Sequence, residues 1–343
     1  MSFKKKKNML VILVAAILVL TTATPVKAGV SAYAFGDYYY IFKSNTASQE
    51  KLNGFWLRRI YLTYDADISS QIKARFRLEM NSDGKLGRSE LTLIPYVKDA
   101  YVAYQFLPLH AISIGIQESL TFSTIEKFWG YRHLEKTMFD LYKIRSSREF
   151  GVSLKGSFDA EKKFNYAILF GNFSGNKEEI DKYKTIAASF VINAIPNVLL
   201  EINGDYGKRS ATKETYLWQA FAGYQGDWGR IGLNYGQETI KETGKEDVDF
   251  GVFSAFAVAK FNKFVEAVAR YDVTADPQVN GQNTFIFIEK GFKTNLLMFG
   301  LGWNIHPKFQ ILPNIKLVSY KKNAAGMKPK DFSQFNITFY YTF

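Results

Sequence analysis

Apolar and polar residues alternate with a period of two through most of this chain, from about residue 30 to the last residue, Phe343. Over 71–80, Ile72, Ala74, Phe76, Leu78 and Met80 fall on one face, with Gln71, Lys73, Arg75, Arg77 and Glu79 on the other. The final stretch sets Phe335, Ile337, Phe339, Tyr341 and Phe343 against Gln334, Asn336, Thr338, Tyr340 and Thr342. Residues two apart point in different directions around a helix but share a face of a strand, so the pattern predicts strands. Sixteen segments of this kind lie near 30–42, 55–66, 71–81, 97–106, 111–119, 149–158, 164–171, 183–193, 198–206, 216–225, 230–237, 250–260, 264–273, 284–304, 311–320 and 332–343. The segment 284–304 is long enough to conceal another hairpin, so fourteen or eighteen strands stay open as alternatives.

The links alternate in length. Short ones near 67–70, 107–110, 159–163, 194–197, 226–229, 261–263 and 305–310 are interleaved with longer polar ones. The longer set lies near 43–54, 82–96, 120–148, 172–182, 207–215, 238–249, 274–283 and 321–331. An up-and-down barrel whose ends face different compartments needs such a rhythm. The polar faces carry charges such as Lys73, Arg75, Arg77, Glu79 and Asp99, so the apolar faces are the ones that meet lipid. Trp56, Tyr64, Phe106, Phe158, Phe164, Trp218, Tyr224 and Trp303 sit near strand ends, where membrane barrels carry aromatic girdles. Sixteen strands are too many for side chains to fill, which leaves an aqueous channel. The pattern therefore predicts an all-β fold: a sixteen-stranded antiparallel transmembrane β-barrel in a bacterial outer membrane, surrounded by outer-membrane lipid. Its last strand ends on Phe343, the kind of aromatic terminus that the barrel assembly machinery reads.

The first 28 residues read differently. Lys4 to Lys7 form a positive start, Met9 to Leu20 an apolar core, and Val26-Lys27-Ala28 a cleavage site, the order of a signal peptide. An N-terminal anchor would need about 20 apolar residues, and this run stops at Thr21. The barrel domain is then 29–343. Removing five Lys and no acid lowers the net charge from +12 to +7, which is too mild to suggest a nucleic-acid partner. The absence of Cys excludes disulfides and thiol chemistry. His110, His133 and His306 are too far apart in sequence to suggest a metal site. No Gly-rich phosphate loop or GxSxG elbow occurs, and Asp65-x-Asp67 and Glu178-Glu179 read as solvated carboxylates. No cofactor and no enzymatic step are implied.

The stretch 54–80, GFWLRRIYLTYDADISSQIKARFRLEM, resembles the early strands of the porin O and P family, the phosphate-selective porins of bacterial outer membranes. So do 98–106 (KDAYVAYQF), 112–126 (ISIGIQESLTFSTIE) and 146–156 (SSREFGVSLKG). The second half resembles the family mainly in rhythm and in its aromatic end. The resemblance implies a sixteen-stranded porin, a homotrimer, with the third long loop folded into the pore. That connection, 120–148, is the longest in the chain and holds Phe122, Phe128, Trp129, Tyr131, Leu134, Met138, Phe139, Leu141 and Tyr142, too many apolar groups for a loop in water. Folded inward it would bring Lys127, Arg132, Lys136, Lys143, Arg145 and Arg148 to the constriction, against Glu126, Glu135 and Asp140. The alternative is packing over the mouth or on a neighbouring subunit.

The wall supplies a second set of cations. Lys73-x-Arg75-x-Arg77 places three on one face of one strand, about 6.5–7 Å apart, with Arg59 on the preceding strand sharing that face. Rings of Arg or Lys select anions, and the Arg fork suits phosphate. The wall holds nine cations (Arg59, Lys73, Arg75, Arg77, Lys155, Lys184, Arg230, Arg270, Lys316) against six acids (Asp65, Glu79, Asp99, Glu201, Glu266, Asp272). The acids could pair the cations and interrupt the basic path. The function expected is passive diffusion of small hydrophilic solutes, anions preferred. A non-conducting barrel whose loops bind a partner is the alternative.

Overall fold

The computed structural model of the chain describes residues 27–82, 93–280 and 286–343. The expected leader lies outside these residues up to position 26, and Lys27 and Ala28 already pair with Asp67 and Ala66. The strands are β1 (Lys27–Lys43), β2 (Asn53–Asp67), β3 (Ile72–Asn81), β4 (Ile94–Leu107), β5 (His110–Glu118), β6 (Arg148–Ser157), β7 (Phe164–Gly171) and β8 (Thr185–Ile192). They continue as β9 (Val198–Lys208), β10 (Lys213–Gly226), β11 (Gly229–Glu242), β12 (Val248–Lys260), β13 (Val265–Thr274), β14 (Thr294–His306), β15 (Phe309–Tyr320) and β16 (Phe332–Thr342). Each pairs antiparallel with the next, and β1 pairs with β16 from Tyr33↔Thr342 onward, so the sheet closes as a sixteen-stranded barrel. Closure leaves no strand edge unpaired, as a membrane without water for the backbone requires.

The outer surface is apolar. Ile112, Ile114, Ile202, Leu233, Phe299 and Leu301 are all exposed, and alternate positions such as Thr63, Glu79, Ser113 and Ser153 are buried inside. That inversion of the soluble pattern makes the barrel a transmembrane one. Tyr64, Phe106, Phe158, Phe164, Trp218, Tyr224 and Trp303 lie exposed on the outside, where the girdle is expected. Trp56 does not. It turns inward and donates Nε1–H to Asp37 Oδ2 at 2.9 Å. The cause is a bulge: Phe35 faces Arg59 and Gly36 faces Leu57, so β2 holds one extra residue, Arg58, and its faces exchange beyond it. A Cβ on Gly36 would lie 2.3 Å from the Trp56 carbonyl oxygen, so the irregularity needs a glycine there.

Two further expectations change. Among the described residues of 284–304, only β14 is strand; Ile286, Phe287 and Ile288 are buried in the interior core rather than forming a hairpin. The polar links near 207–215 and 238–249 shrink to 209–212 and 243–247, because β9, β10 and β11 continue past the lipid band. There both faces are polar, and Glu214 accepts hydrogen bonds from Tyr206 and Tyr216 at 2.9 Å each. With no apolar face left, alternation cannot mark the strand although the ladder persists.

Replacing lipid-facing Ile202 by Lys should destabilise the barrel by about 2–4 kcal/mol if it lies near mid-membrane. Its neighbour Asn203, on the lumen side, should accept Lys at much lower cost. Denaturant unfolding from lipid vesicles compares the two, and equal losses would contradict the assigned faces.

Candidate functional site: the constricted lumen

The lumen is divided by the long connection between β5 and β6, residues 119–147. It enters as helix α1 (Leu120–Trp129), stopped by Gly130 in the left-handed region (φ 67°), whose N–H returns to the Glu126 carbonyl at 3.0 Å. A short helix α2 (Met138–Leu141) follows. Phe122, Ile125, Trp129, Leu134, Met138, Phe139 and Leu141 are buried against inward-pointing Leu217, Phe221, Phe250, Phe256, Val258 and Met298. The lumen wall is therefore not polar all round. From β10 round to the start of the chain apolar side chains stand among polar ones such as Gln219, Ser254, Asn314 and Asn336, and the loop packs on them with a core like that of a soluble protein.

Packing alone does not explain how the end of α1 and the non-helical stretch 130–136 survive there, because their carbonyls must find donors. Cations on the wall supply them. Arg230 donates to the Trp129 carbonyl at 2.8 Å, and Lys316 to that of Leu134 at 2.7 Å. Arg58 donates to the His133 and Leu134 carbonyls, the latter at 3.3 Å, and Arg270 to the Lys136 carbonyl. Lys316 also pairs with Glu135 at 2.9 Å, and Arg58 with Asp37 at 2.6 Å. Burial opposes ionisation of Glu135, but Lys316 and Arg58 more than offset it and hold its carboxyl down to about 2. Burial pushes the His133 imidazole down to about 3. It is neutral, with Nε2 2.7 Å from Gln310 Oε1.

Three of the nine expected wall cations, Arg230, Arg270 and Lys316, thus hold the loop. Lys184 lies in the link before β8 and pairs with Glu179. The row on β3 faces the lumen, each member paired: Lys73 with Asp67 at 3.3 Å, Arg75 with Asp65 at 2.6 and 3.0 Å, and Arg77 with Asp99 at 3.2 Å. Arg59 pairs with Glu79 at 2.8 Å. Lys73 stands beside the short turn after β2, away from the constriction. Lys155 keeps the side of Ser153 on β6.

The six loop cations divide similarly. Arg145 is an anchor, paired with Asp205 at 2.7 Å and with Glu238. Arg132 bridges Glu126 (3.4 Å) and Asp140 (3.1 Å), and Lys136 meets Asp140 at 3.3 Å. Arg148 is the first residue of β6 and is paired with Asp99. Lys127 and Lys143 are the exposed ones, Lys127 being 3.9 Å from Glu118 with its side chain 76% accessible. Lys143 lines the upper chamber.

Water-accessible space remains beside the loop. A cavity of about 270 Å³ is lined by five cations (Arg77, Lys98, Lys127, Arg132, Arg148) and two carboxylates (Glu118, Glu126). A second, of about 200 Å³, lies towards the turn at 307–308 and shares Gly130, His133 and Tyr340 with the first. A third, of about 490 Å³, opens on the long-loop side between Lys143, Arg145, Lys177 and Arg209.

Sequence reasoning missed Arg58 and Lys98. Strict alternation aims both at lipid. Lys98 is turned inward by a second bulge, between Arg77/Leu78 on β3 and Asp99/Val97 on β4, and meets Glu79 at 3.0 Å. A signal existed: Arg58-Arg59 and Lys98-Asp99 are adjacent charges inside strands, and regular alternation would send one of each pair into hydrocarbon at about 2–4 kcal/mol for Arg or Lys. At these two places the neighbouring charges mark a bulge.

No family model and no curated protein matches the sequence. Solved structures do match in shape. An anion-selective porin from Comamonas acidovorans aligns over 93% of this chain and 100% of its own, with TM-score 0.67 and 11% identity. Salmonella typhi OmpF in complex with daunomycin aligns over 92% and 98% (TM-score 0.65, 11% identity). The outer membrane channel DcaP of Acinetobacter baumannii aligns over 93% and 97% (0.62, 10%). At these identities the likeness is one of fold: the chain has the architecture of outer-membrane porins.

Lys316→Met should leave Glu135 buried without its partner and loosen the seated loop by about 3–5 kcal/mol. Protease nicking within 119–147 of the folded barrel should accelerate accordingly, while the strands stay resistant. Acid should act in the same direction. His133 binds its proton less readily folded than unfolded, so its contribution is full above the ordinary histidine value and falls away as pH drops through 6 towards 3. A His133→Gln barrel should show a weaker pH dependence of nicking in that window.

Proposed function

We propose that this barrel is an outer-membrane porin: a passive diffusion channel for small hydrophilic solutes that prefers anions, phosphate among them. The observation that supports it is the passage beside the loop, where two cavities share Gly130, His133 and Tyr340 and the first is lined by five cations against two carboxylates. Cations at a narrow point raise the local concentration of anions and hold them in succession. Arg77 and Arg148 are forks suited to phosphate, yet both engage Asp99, so an incoming phosphate competes with a resident carboxylate. Anion preference is accordingly better supported than phosphate specificity. The same holds for membership of the porin O and P family, which rests on stretches such as 54–80.

Residues 1–28 direct export, and the strand ending at Phe343 addresses the chain to the barrel assembly machinery. OmpT of Vibrio cholerae, another barrel of this shape, is described in a trimer form, and we extend a homotrimeric state to this chain. A second reading, a closed barrel that binds a partner through its loops, draws support from the filling of one side by the inward loop and by Ile286–Ile288.

The zero-current potential in a planar bilayer under a KCl gradient should have the sign of anion selectivity. Replacing Lys73, Arg75 and Arg77 together by Gln leaves Asp67, Asp65 and Asp99 undercompensated and should shift the potential towards cations. An unchanged potential would remove this row from the ion path. Absence of channels from folded protein would favour the closed barrel.

A further inference from the structure

The constriction carries a feature that ion pairing does not use. Six rings follow one another, all but the last lining one or both of the cavities beside the loop: Tyr61, Tyr33, Tyr340, His133, Tyr131 and the buried Trp129. Their centroids are separated by 4.4, 6.0, 4.4, 5.0 and 5.8 Å in that order. The track links β2, β1 and β16 to the inward loop, and Tyr340 and His133 line both cavities. Tyr33 and Tyr340 are only partly buried and present ring surface to the water. Cations stand over the track near both ends, Arg77 at 5.9 Å from the Tyr61 ring and Arg230 at 5.7 Å from the Tyr131 ring.

For an inorganic anion the rings themselves offer little beyond the field of the cations. The cations around the first cavity are largely engaged: Arg77 and Arg148 with Asp99, Lys98 with Glu79, Arg132 with Glu126 and Asp140. Their field attracts negative charge, but each interaction with a solute is shared with a carboxylate. A flat apolar ring gains contact with Tyr33 and Tyr340 that no carboxylate contests, and the gain does not depend on charge. At about 270 Å³ the cavity falls below the range that accommodates drug-sized ligands, so the solute is a small one.

Resting on the porin reading above, we propose that the constriction selects small aromatic carboxylates, the ring sliding along Tyr33 and Tyr340 while the carboxylate passes along Arg77, Lys98 and Arg132. Neither half suffices. Acetate has the charge without the ring, and benzyl alcohol the ring without the charge.

The test is inhibition of KCl current through single channels by benzoate, acetate and benzyl alcohol at matched concentration and fixed ionic strength. Benzoate should act at about fivefold lower concentration than either of the others. Tyr33→Ala should remove about threefold or more of that advantage while leaving acetate unchanged, and Tyr33→Phe should retain it. Equal inhibition by benzoate and acetate overturns the aromatic track, and equal inhibition by benzoate and benzyl alcohol overturns the role of charge. If Tyr33→Ala does not assemble, the comparison of solutes on the unaltered barrel decides alone. Channels that conduct without preferring benzoate refute this inference and spare the porin reading. Folded barrels that never conduct refute both.

Discussion

The interior depends on the hydrogen bonds that wall cations donate to the carbonyls of the inward loop. A segment without regular structure cannot be buried unless its backbone groups are satisfied, and each orphan costs about 1–3 kcal/mol. Around Trp129 to Lys136 the donors are Arg58, Arg230, Arg270 and Lys316, from four different strands. Guanidinium and ammonium groups suit the task because they carry several donors and no acceptor, so one side chain can serve a carbonyl and a carboxylate together. Lys316 does so with Leu134 and Glu135. Without these donors, the apolar contacts of Phe122 or Met138 would have to offset a row of unmet carbonyls.

That arrangement gives the lumen two sides with different chemistry. Towards β10–β16 it is a dry core of Leu217, Phe250, Phe256 and Met298 against the loop, with Arg230, Arg270 and Lys316 set into it as clamps. Towards β2–β6 it is a mesh of alternating charges in which Asp99 serves both Arg77 and Arg148, and Glu79 serves both Arg59 and Lys98. The dry side fixes where the loop sits and so sets the width of the passage. The charged side sets the field within it. Because most of the charges are paired, the field is a modest excess of positive charge and not an open row of cations.

Much of this was legible in the sequence, and the failures share a cause. Alternation located sixteen strands because hydrocarbon outside and polar groups inside impose it on every turn of the barrel wall. The apolar content of 120–148 revealed the inward loop because those rings could not remain in water. Period two, however, reports a difference between faces and not which face is which. On β12, Phe250, Val252, Phe256 and Val258 point inward and Phe253 outward, so the dry half of the lumen could not be separated from lipid-facing surface. Counting by twos also assumes an unbroken ladder. One extra residue in β2 and another in β4 reversed the assignments of Trp56, Arg58 and Lys98. Pairing was legible only as an alternative: Lys73, Arg75 and Arg77 read as a row of cations that nearby acids could pair, and their carboxylate partners come from β2 and β4.

The clamps also fix an order of events in assembly. The loop lies between β5 and β6, but its donors Arg230, Arg270 and Lys316 belong to β11, β13 and β15, which come much later in the chain. Contacts so distant in sequence form late, after much of the chain has been organised. The loop therefore acquires its final seat only as the last quarter of the sheet arrives and β16 closes on β1. Until then part of its seat, including Met298 on β14 and Lys316 on β15, is missing. Narrowing of the passage and closure of the cylinder are in this sense linked, the last clamp, Lys316, arriving only with β15.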